Sequence, residues 1–223
     1  MCFSATASFT ASVSLSVLGI ATLTQTTSKN QLLLASFPLL FATQQFLEGI
    51  VWLNLDNQSS LLYFIGAYGF ISFATGVWLI LCPVSVYLLE KDLLRQKIIL
   101  TLTIIGFFLG IYFLSCVIRD GVLATNYSGN LLYHLNLLYY FKFVSFYDFC
   151  KYLYLVVISV PFLISSQRLL MLFGILVILS FILADRFYQT TFISVWCFLA
   201  AVLSSSLWFI FFDWKTHNQD IKN

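Results

Sequence analysis

Charge is what this sequence has least of. Only 9% of its 223 residues are Asp, Glu, Lys or Arg, against 61% hydrophobic. Soluble domains carry roughly a quarter charged residues, so water cannot solvate a surface made from this composition. A formal charge of +2 with no basic run gives nucleic acid nothing to hold, so no nucleic-acid partner is expected. Histidine is almost absent too. With only His134 and His217, the several zinc ligands of an alkaline-ceramidase-type hydrolase are missing, and so is a facing pair for haem.

Other absences narrow the field. The five cysteines (Cys2, Cys82, Cys116, Cys150, Cys197) show no C-x-x-C spacing, which removes a zinc ribbon or a thioredoxin-type motif. Most fall in apolar runs, where Cys acts as a small hydrophobe. The last apolar run holds no lysine for a retinal Schiff base. Lys91-Asp92-Leu93 is not the Asp/Glu-Arg-Tyr signature of G-protein-coupled receptors, and Asn-Pro-x-x-Tyr is missing. No Lys or Arg precedes the first apolar run, so a cleavable signal peptide is not expected.

What is present is a series of long apolar stretches. A helix needs about 20 residues to cross ~30 Å of hydrocarbon. The pattern predicts an all-α bundle of seven transmembrane helices in one domain, over about 5–24, 32–53, 61–89, 98–117, 147–164, 169–184 and 192–212. Between the fourth and fifth lies an outer loop, 118–146. Its Asn126-Tyr127-Ser128-Gly129-Asn130 is a turn signal with hairpin character, and its tyrosines suit a membrane surface. Gly66, Gly69, Gly76 and Pro83 predict a kink in the third span, and Pro38 lies inside the second. Counting Lys and Arg on alternate loops gives seven (Lys29, Lys91, Arg95, Lys97, Arg168, Lys215, Lys222) against four (Arg119, Lys142, Lys151, Arg186). The richer side faces the cytoplasm, which puts the N-terminus outside and the C-terminus inside.

The second span carries the one polar stripe. Gln44 and Glu48 are spaced i,i+4, Gln45 and Glu48 i,i+3, and Trp52 lies a turn further, so all four share a helix face. A carboxyl group in hydrocarbon costs a few kcal/mol unless partnered, so such a stripe faces a protein interior or a wet cavity. With the expected threading, Arg119, Asp120, His134, Asp148 and Asp185 gather at the same outer end. The cytoplasmic loops offer only a scattered, solvated set of charges, and Asp185-Arg186 reads as a span end with a local ion pair. Cys2 is the odd residue. Removal of Met1 would expose its amine beside its own thiol, an arrangement with nucleophilic potential.

Three blocks resemble an uncharacterised bacterial integral-membrane family. They are Met1-Cys2-Phe3-Ser4-Ala5-x-Ala7-Ser8-Phe9, then Pro38-Leu39-Leu40-Phe41-Ala42-x-Gln44-Gln45-x-x-Glu48-Gly49-x-Val51-Trp52, and Ser194-Val195-Trp196-Cys197-Phe198-x-Ala200-Ala201. The resemblance implies a multi-span protein of a bacterial plasma membrane with no assigned activity. It places Cys2, Gln44, Gln45, Glu48, Trp52, Trp196 and Cys197 on the family's own motifs.

The resulting expectation is a bilayer-embedded protein that binds or senses a small molecule or lipid in an outward-facing polar pocket. Its ligands would be Gln44, Gln45, Glu48, Trp52, Cys2 and Trp196. The alternative is a membrane enzyme with Glu48 as acid/base and Cys2 as nucleophile. A transporter is less well supported, because no internal repeat accompanies the stripe. The sequence names no cofactor and assigns no metal site.

Overall fold

The computed structural model describes residues 4–134 and 146–220. Ten α-helices and one β-hairpin make it up: α1 (Ala5–Leu23), α2 (Leu32–Ala35), α3 (Phe37–Leu53), α4 (Leu61–Ser72), α5 (Trp78–Tyr87), α6 (Leu93–Asp120), β1 (Leu123–Tyr127), β2 (Asn130–His134), α7 (Phe146–Ile164), α8 (Arg168–Phe187), α9 (Phe192–Ser204) and α10 (Leu207–Asp220). Six stretches of the described residues are long and apolar enough to cross a membrane: Ala5–Leu23, Lys29–Leu53, Leu61–Tyr87, Leu93–Asp120, Arg168–Phe187 and Gln189–Thr216. The fold is therefore mostly helical with six candidate spans and a small sheet, where an all-α chain was expected. The α7 helix occupies the place of the expected fifth span.

Several spans are broken, each for a physical reason. The second divides at Ser36 because Pro38 has no N–H to extend a helix from above. Ser36 Oγ instead donates to the Leu33 carbonyl (2.7 Å). The third passes through a π-helical segment, Phe73–Val77, between α4 and α5. Pro83, inside α5, leaves the Leu79 carbonyl without its helical donor. Gly106 of α6 lies against that carbonyl, so closely that a Cβ there would sit 2.4 Å from the Leu79 oxygen. Only glycine lets α5 and α6 meet this tightly. The last span breaks at Ser205-Ser206, and α10 continues past the expected end at 212.

The α6 helix is longer than expected, starting at Leu93 behind an Asp92 cap that accepts from the Arg95 N–H (2.9 Å). At ~1.5 Å per residue its 28 residues reach roughly 42 Å. Ile104, Phe107, Phe108 and Ile111 are exposed along it, as side chains facing lipid would be. The α1 helix is held close to α3 by two small residues: Gly19 sits on Leu39, and Gly49 under the Phe9 ring.

Within the expected loop, 123–134 is an antiparallel hairpin with Leu123 opposite His134 and Tyr127 opposite Asn130. Ser128 and Gly129 both have positive φ (50° and 79°), the conformation a two-residue hairpin turn requires. Tyr63 Oη accepts from the Ala124 N–H (2.7 Å), Gln58 donates to the Ala124 carbonyl (3.1 Å), and Tyr133 stacks on Phe70 at 4.9 Å. The hairpin thus closes one end of the bundle over α3 and α4.

The opposite end differs from its expectation. Glu90, 4% exposed, is not a solvated loop charge. It accepts from the Lys91 and Asp92 N–H groups (2.9 and 3.1 Å) and from both the N–H and hydroxyl of Ser166 (2.7 Å each). Burial raises its pKa, but the four donated bonds outweigh that and hold it down at about 2. This carboxylate clamps the α5–α6 loop to the α7–α8 loop.

Candidate functional site

The site is best built outward from α3. Phe37, Phe41, Gln44 and Glu48 follow one another at i+4, i+3 and i+4, so they form a single face that is apolar at one end and polar at the other. At the polar end Gln44, Gln45 and Glu48 are all fully buried. Ser194 of α9 donates to Glu48 Oε1 at 2.5 Å, and Gln45 Nε2 approaches Oε2 at 3.4 Å. Gln44 Oε1 accepts from the Trp78 indole at 2.8 Å. Among the described residues Gln44 Nε2 and Gln45 Oε1 have no hydrogen-bond partner. No Lys or Arg of the described residues pairs with Glu48. Ser194 lies in the first turn of α9, where the helix N-terminus favours negative charge.

The α9 helix then separates two roles by its own geometry. Ser194 and Trp196 are two residues apart and point to different faces, while Cys197, at i+3, shares the Ser194 side. Ser194 therefore meets Glu48, and Cys197 lies beside Gln44 within electrostatic range of Glu48. Trp196 instead turns toward α7 and α8. Its indole donates to Ser180 Oγ (3.2 Å), and its ring meets Tyr154 and Phe181 edge-on at 5.5 and 5.0 Å.

Two inner cavities lie on that side. One, of about 70 Å³, is walled by Thr75, Phe113, Cys150, Lys151, Tyr154, Trp196 and Cys197 among others. The other, of about 40 Å³, runs between Phe41, Trp78, Cys82, Tyr154, Phe162 and Cys197. They share Tyr154, Trp196 and Cys197 as a common collar. Neither is lined by Gln44, Gln45 or Glu48. The polar cluster touches this space only through Trp78, which stacks on Phe41 at 4.0 Å, and through Cys197.

Of the expected site residues, Gln44, Gln45 and Glu48 are brought together and Trp196 lines the cavities. Trp52 packs instead with the residues under the hairpin, its buried indole N–H without a partner among the described residues. Cys2 lies outside the described residues. His134 Nε2 is 3.1 Å from Thr125 Oγ1 across the hairpin. Arg119 pairs with Asp120 at an exposed helix end. Asp185 does not pair with Arg186. It takes Lys151 of α7 at 2.7 Å, because Arg186 projects into the open. Trp78 and Tyr154 were missed by sequence reasoning, although both sit well inside spans. An indole or phenol there, away from the membrane surface where such groups usually lie, needs a polar partner and signals a site.

Repeated apolar spans, a closed polar cluster between helices and lipid-facing surfaces together have the make-up of a multi-pass membrane protein. The chain belongs to a Family of unknown function (DUF6629), whose model matches residues 1–222. No curated protein and no solved structure matches it.

Proposed function

We propose that this protein binds a small apolar molecule or lipid in the paired cavities beside the Glu48 cluster, as a sensor or accessory protein of its membrane. The observation that supports this reading is a wall shared between the smaller cavity and the polar cluster. Trp78 and Cys197 wall the cavity on one side and contact Gln44 on the other. An occupant that displaces Trp78 acts directly on the hydrogen bond of Gln44, and one that displaces Cys197 changes the packing beside it.

The test is mass spectrometry of molecules retained by the purified protein. The Ala200→Phe variant places a ring in the smaller cavity, which Ala200 helps to wall. It should lose a species that the wild type keeps. Identical retained molecules in identical amounts would count against a cavity site.

We further propose seven membrane crossings, with α7 as the fifth, in a bacterial plasma membrane with the N-terminus outside. Contacts at each end support this threading: Gln58 and Tyr63 with Ala124, and Lys151 with Asp185, at one; Arg95 with Ser166, and Lys215 with the Thr24 carbonyl, at the other. Ser59→Cys should label from outside and Gln219→Cys only from within. The four described native cysteines are buried and free, and a Cys2→Ser background removes the fifth. Labelling of both positions from one side would sink the seven-span arrangement.

A further inference from the structure

A groove of about 850 Å³ lies between α7 and α8, a volume within the range of ligand sites. The two helices are antiparallel across the 165–167 turn, and each gives the groove one face. On α7, Asp148, Lys151, Tyr152 and Leu155 follow at i, i+3, i+4 and i+7; on α8, Ile178, Ile182, Asp185 and Arg186 follow at i, i+4, i+7 and i+8. The charged members gather at one end, where Lys151 meets Asp185 at 2.7 Å. From Asp148 to Leu155, and from Arg186 to Ile178, is ~10–12 Å along the helices, and there the walls are aliphatic. Tyr152 and Ile182 are exposed, so the groove is open along its side. Charge at the end of a helix pair with hydrocarbon below it is the layout that a lipid molecule presents.

The charges decide which headgroup. Two acids and two bases wall the groove, so it has no net charge with which to attract an anionic lipid. They are unequally used. Lys151, its side chain 15% exposed, is committed to Asp185 at 2.7 Å and reaches Asp148 only at 3.4 Å. Asp148, its side chain 47% exposed, therefore keeps most of its accepting capacity. Among the described residues Arg186 forms no ion pair and no hydrogen bond through its side chain. One guanidinium and one carboxylate are thus left over, which match a phosphate and an ammonium on the same molecule. The arginine fork holds phosphate through two parallel N–H bonds. A quaternary ammonium needs open aromatic faces. Here Tyr152 and Phe192 already lie under the Lys151 ammonium at 5.2 and 5.7 Å, and Phe181 is buried. A primary ammonium instead brings N–H donors that Asp148 can accept.

We propose that this groove binds a phospholipid with an ethanolamine headgroup, its phosphate on Arg186 and its ammonium on Asp148. An acyl chain lies along Leu155, Ile178 and Ile182. The site is distinct from the inner cavities, with which it shares only the walls Lys151 and Phe192 of the larger one, and it does not depend on what they hold. Asp148 selects the headgroup, because a choline headgroup offers it no donor and a glycerol headgroup no positive charge. Arg186 supplies the part of the affinity that all three phospholipids share.

The experiment is native mass spectrometry of the full-length protein in detergent, titrated with phosphatidylethanolamine, phosphatidylcholine and phosphatidylglycerol of identical acyl chains. The wild type should take up one phosphatidylethanolamine saturably and bind the other two about fivefold more weakly, the worth of one partly exposed ion pair. Asp148→Asn keeps the shape, and it should erase the preference over choline by weakening the ethanolamine lipid alone. Arg186→Gln should weaken the ethanolamine and choline lipids alike, about fivefold. Neither side chain belongs to the buried core, so thermal unfolding of both variants should match the wild type closely. Phosphoethanolamine without chains, at equal concentration, should leave the lipid adduct in place.

Equal binding of the three lipids to the wild type, or a preference that survives Asp148→Asn, would overturn the headgroup assignment. An adduct indifferent to Arg186→Gln, or no saturable adduct at all, would overturn the site. Full displacement by phosphoethanolamine would give the groove to a free phosphate ester and not to a lipid. A wild-type dimer without lipid, dissociated by Arg186→Gln, would give it to a second copy of the chain.

Discussion

Among the described residues two carboxylates are buried, and the protein treats them differently. Glu90, between α5 and α6, is met by three backbone N–H groups and one hydroxyl. Glu48, inside α3, is met only by the side chains of Ser194 and Gln45. The reason lies in the backbone. Where the chain leaves one helix and enters the next, N–H groups have no helical acceptor and can converge on a carboxylate. Within a bundle every N–H is already committed to its own helix, so only side chains can approach. Glu90 is therefore saturated and acts as a clamp. Around Glu48 two carboxamide atoms have no partner among the described residues, and the cluster can rearrange.

That contrast can be broken by mutation. Glu90→Ala should have the largest effect, roughly 3 kcal/mol or more of destabilisation, because four donors lose a charged acceptor together. Thermal unfolding in detergent measures it, and a loss below about 1 kcal/mol would mean that the clamp is ornamental. Glu48→Leu should cost less, about 1–3 kcal/mol, since it strands one hydroxyl and one amide. Were it to exceed Glu90→Ala under the same conditions, the ranking of the two sites would be reversed.

Acid sharpens the same comparison. The pKa of Glu90 in the folded protein is depressed to about 2, below its ordinary 4.5. A depressed carboxylate stabilises the fold above its unfolded pKa, and that contribution disappears as pH falls toward the folded value. The stability difference between wild type and Glu90→Gln should therefore narrow between about pH 4.5 and about pH 2, and remain constant at neutral pH. A difference unchanged across that interval would deny Glu90 its role.

The smallest effect should come from Glu48→Gln, under about 1 kcal/mol. The new amide keeps the shape and still accepts from Ser194. Gln45 can turn its unpartnered oxygen toward the introduced N–H group. A cost comparable with that of Glu48→Leu would show that the cluster depends on the carboxyl group itself and not on its shape.

Much of this was legible in the residue order. The i,i+3 and i,i+4 spacing of Gln44, Gln45 and Glu48 placed them on one inward face, and the cost of a bare carboxyl in hydrocarbon required a partner from elsewhere. The run Asn126-Tyr127-Ser128-Gly129-Asn130 pointed to a hairpin because Asn, Ser and Gly together are turn residues. The clamp at Glu90 was not legible. Lys91 and Asp92 beside it made the loop look solvated, and nothing local announces that Ser166, from a loop two helices away, will arrive with both its donors. Asp185 was misjudged for the same reason: adjacency in sequence favoured Arg186, while packing of α7 on α8 supplied Lys151.

Composition alone determined the solvent, because so few charges leave lipid as the only medium able to cover this surface. Spacing alone determined which face of each helix turns inward, since helical periodicity is a local property. Which inward faces meet is a long-range matter, settled only when α9 brings Ser194 to Glu48 and turns Trp196 and Cys197 toward Tyr154. The cavities exist only in that assembled state. A void is bounded by residues from several helices at once, and its walls are not encoded in any one of them.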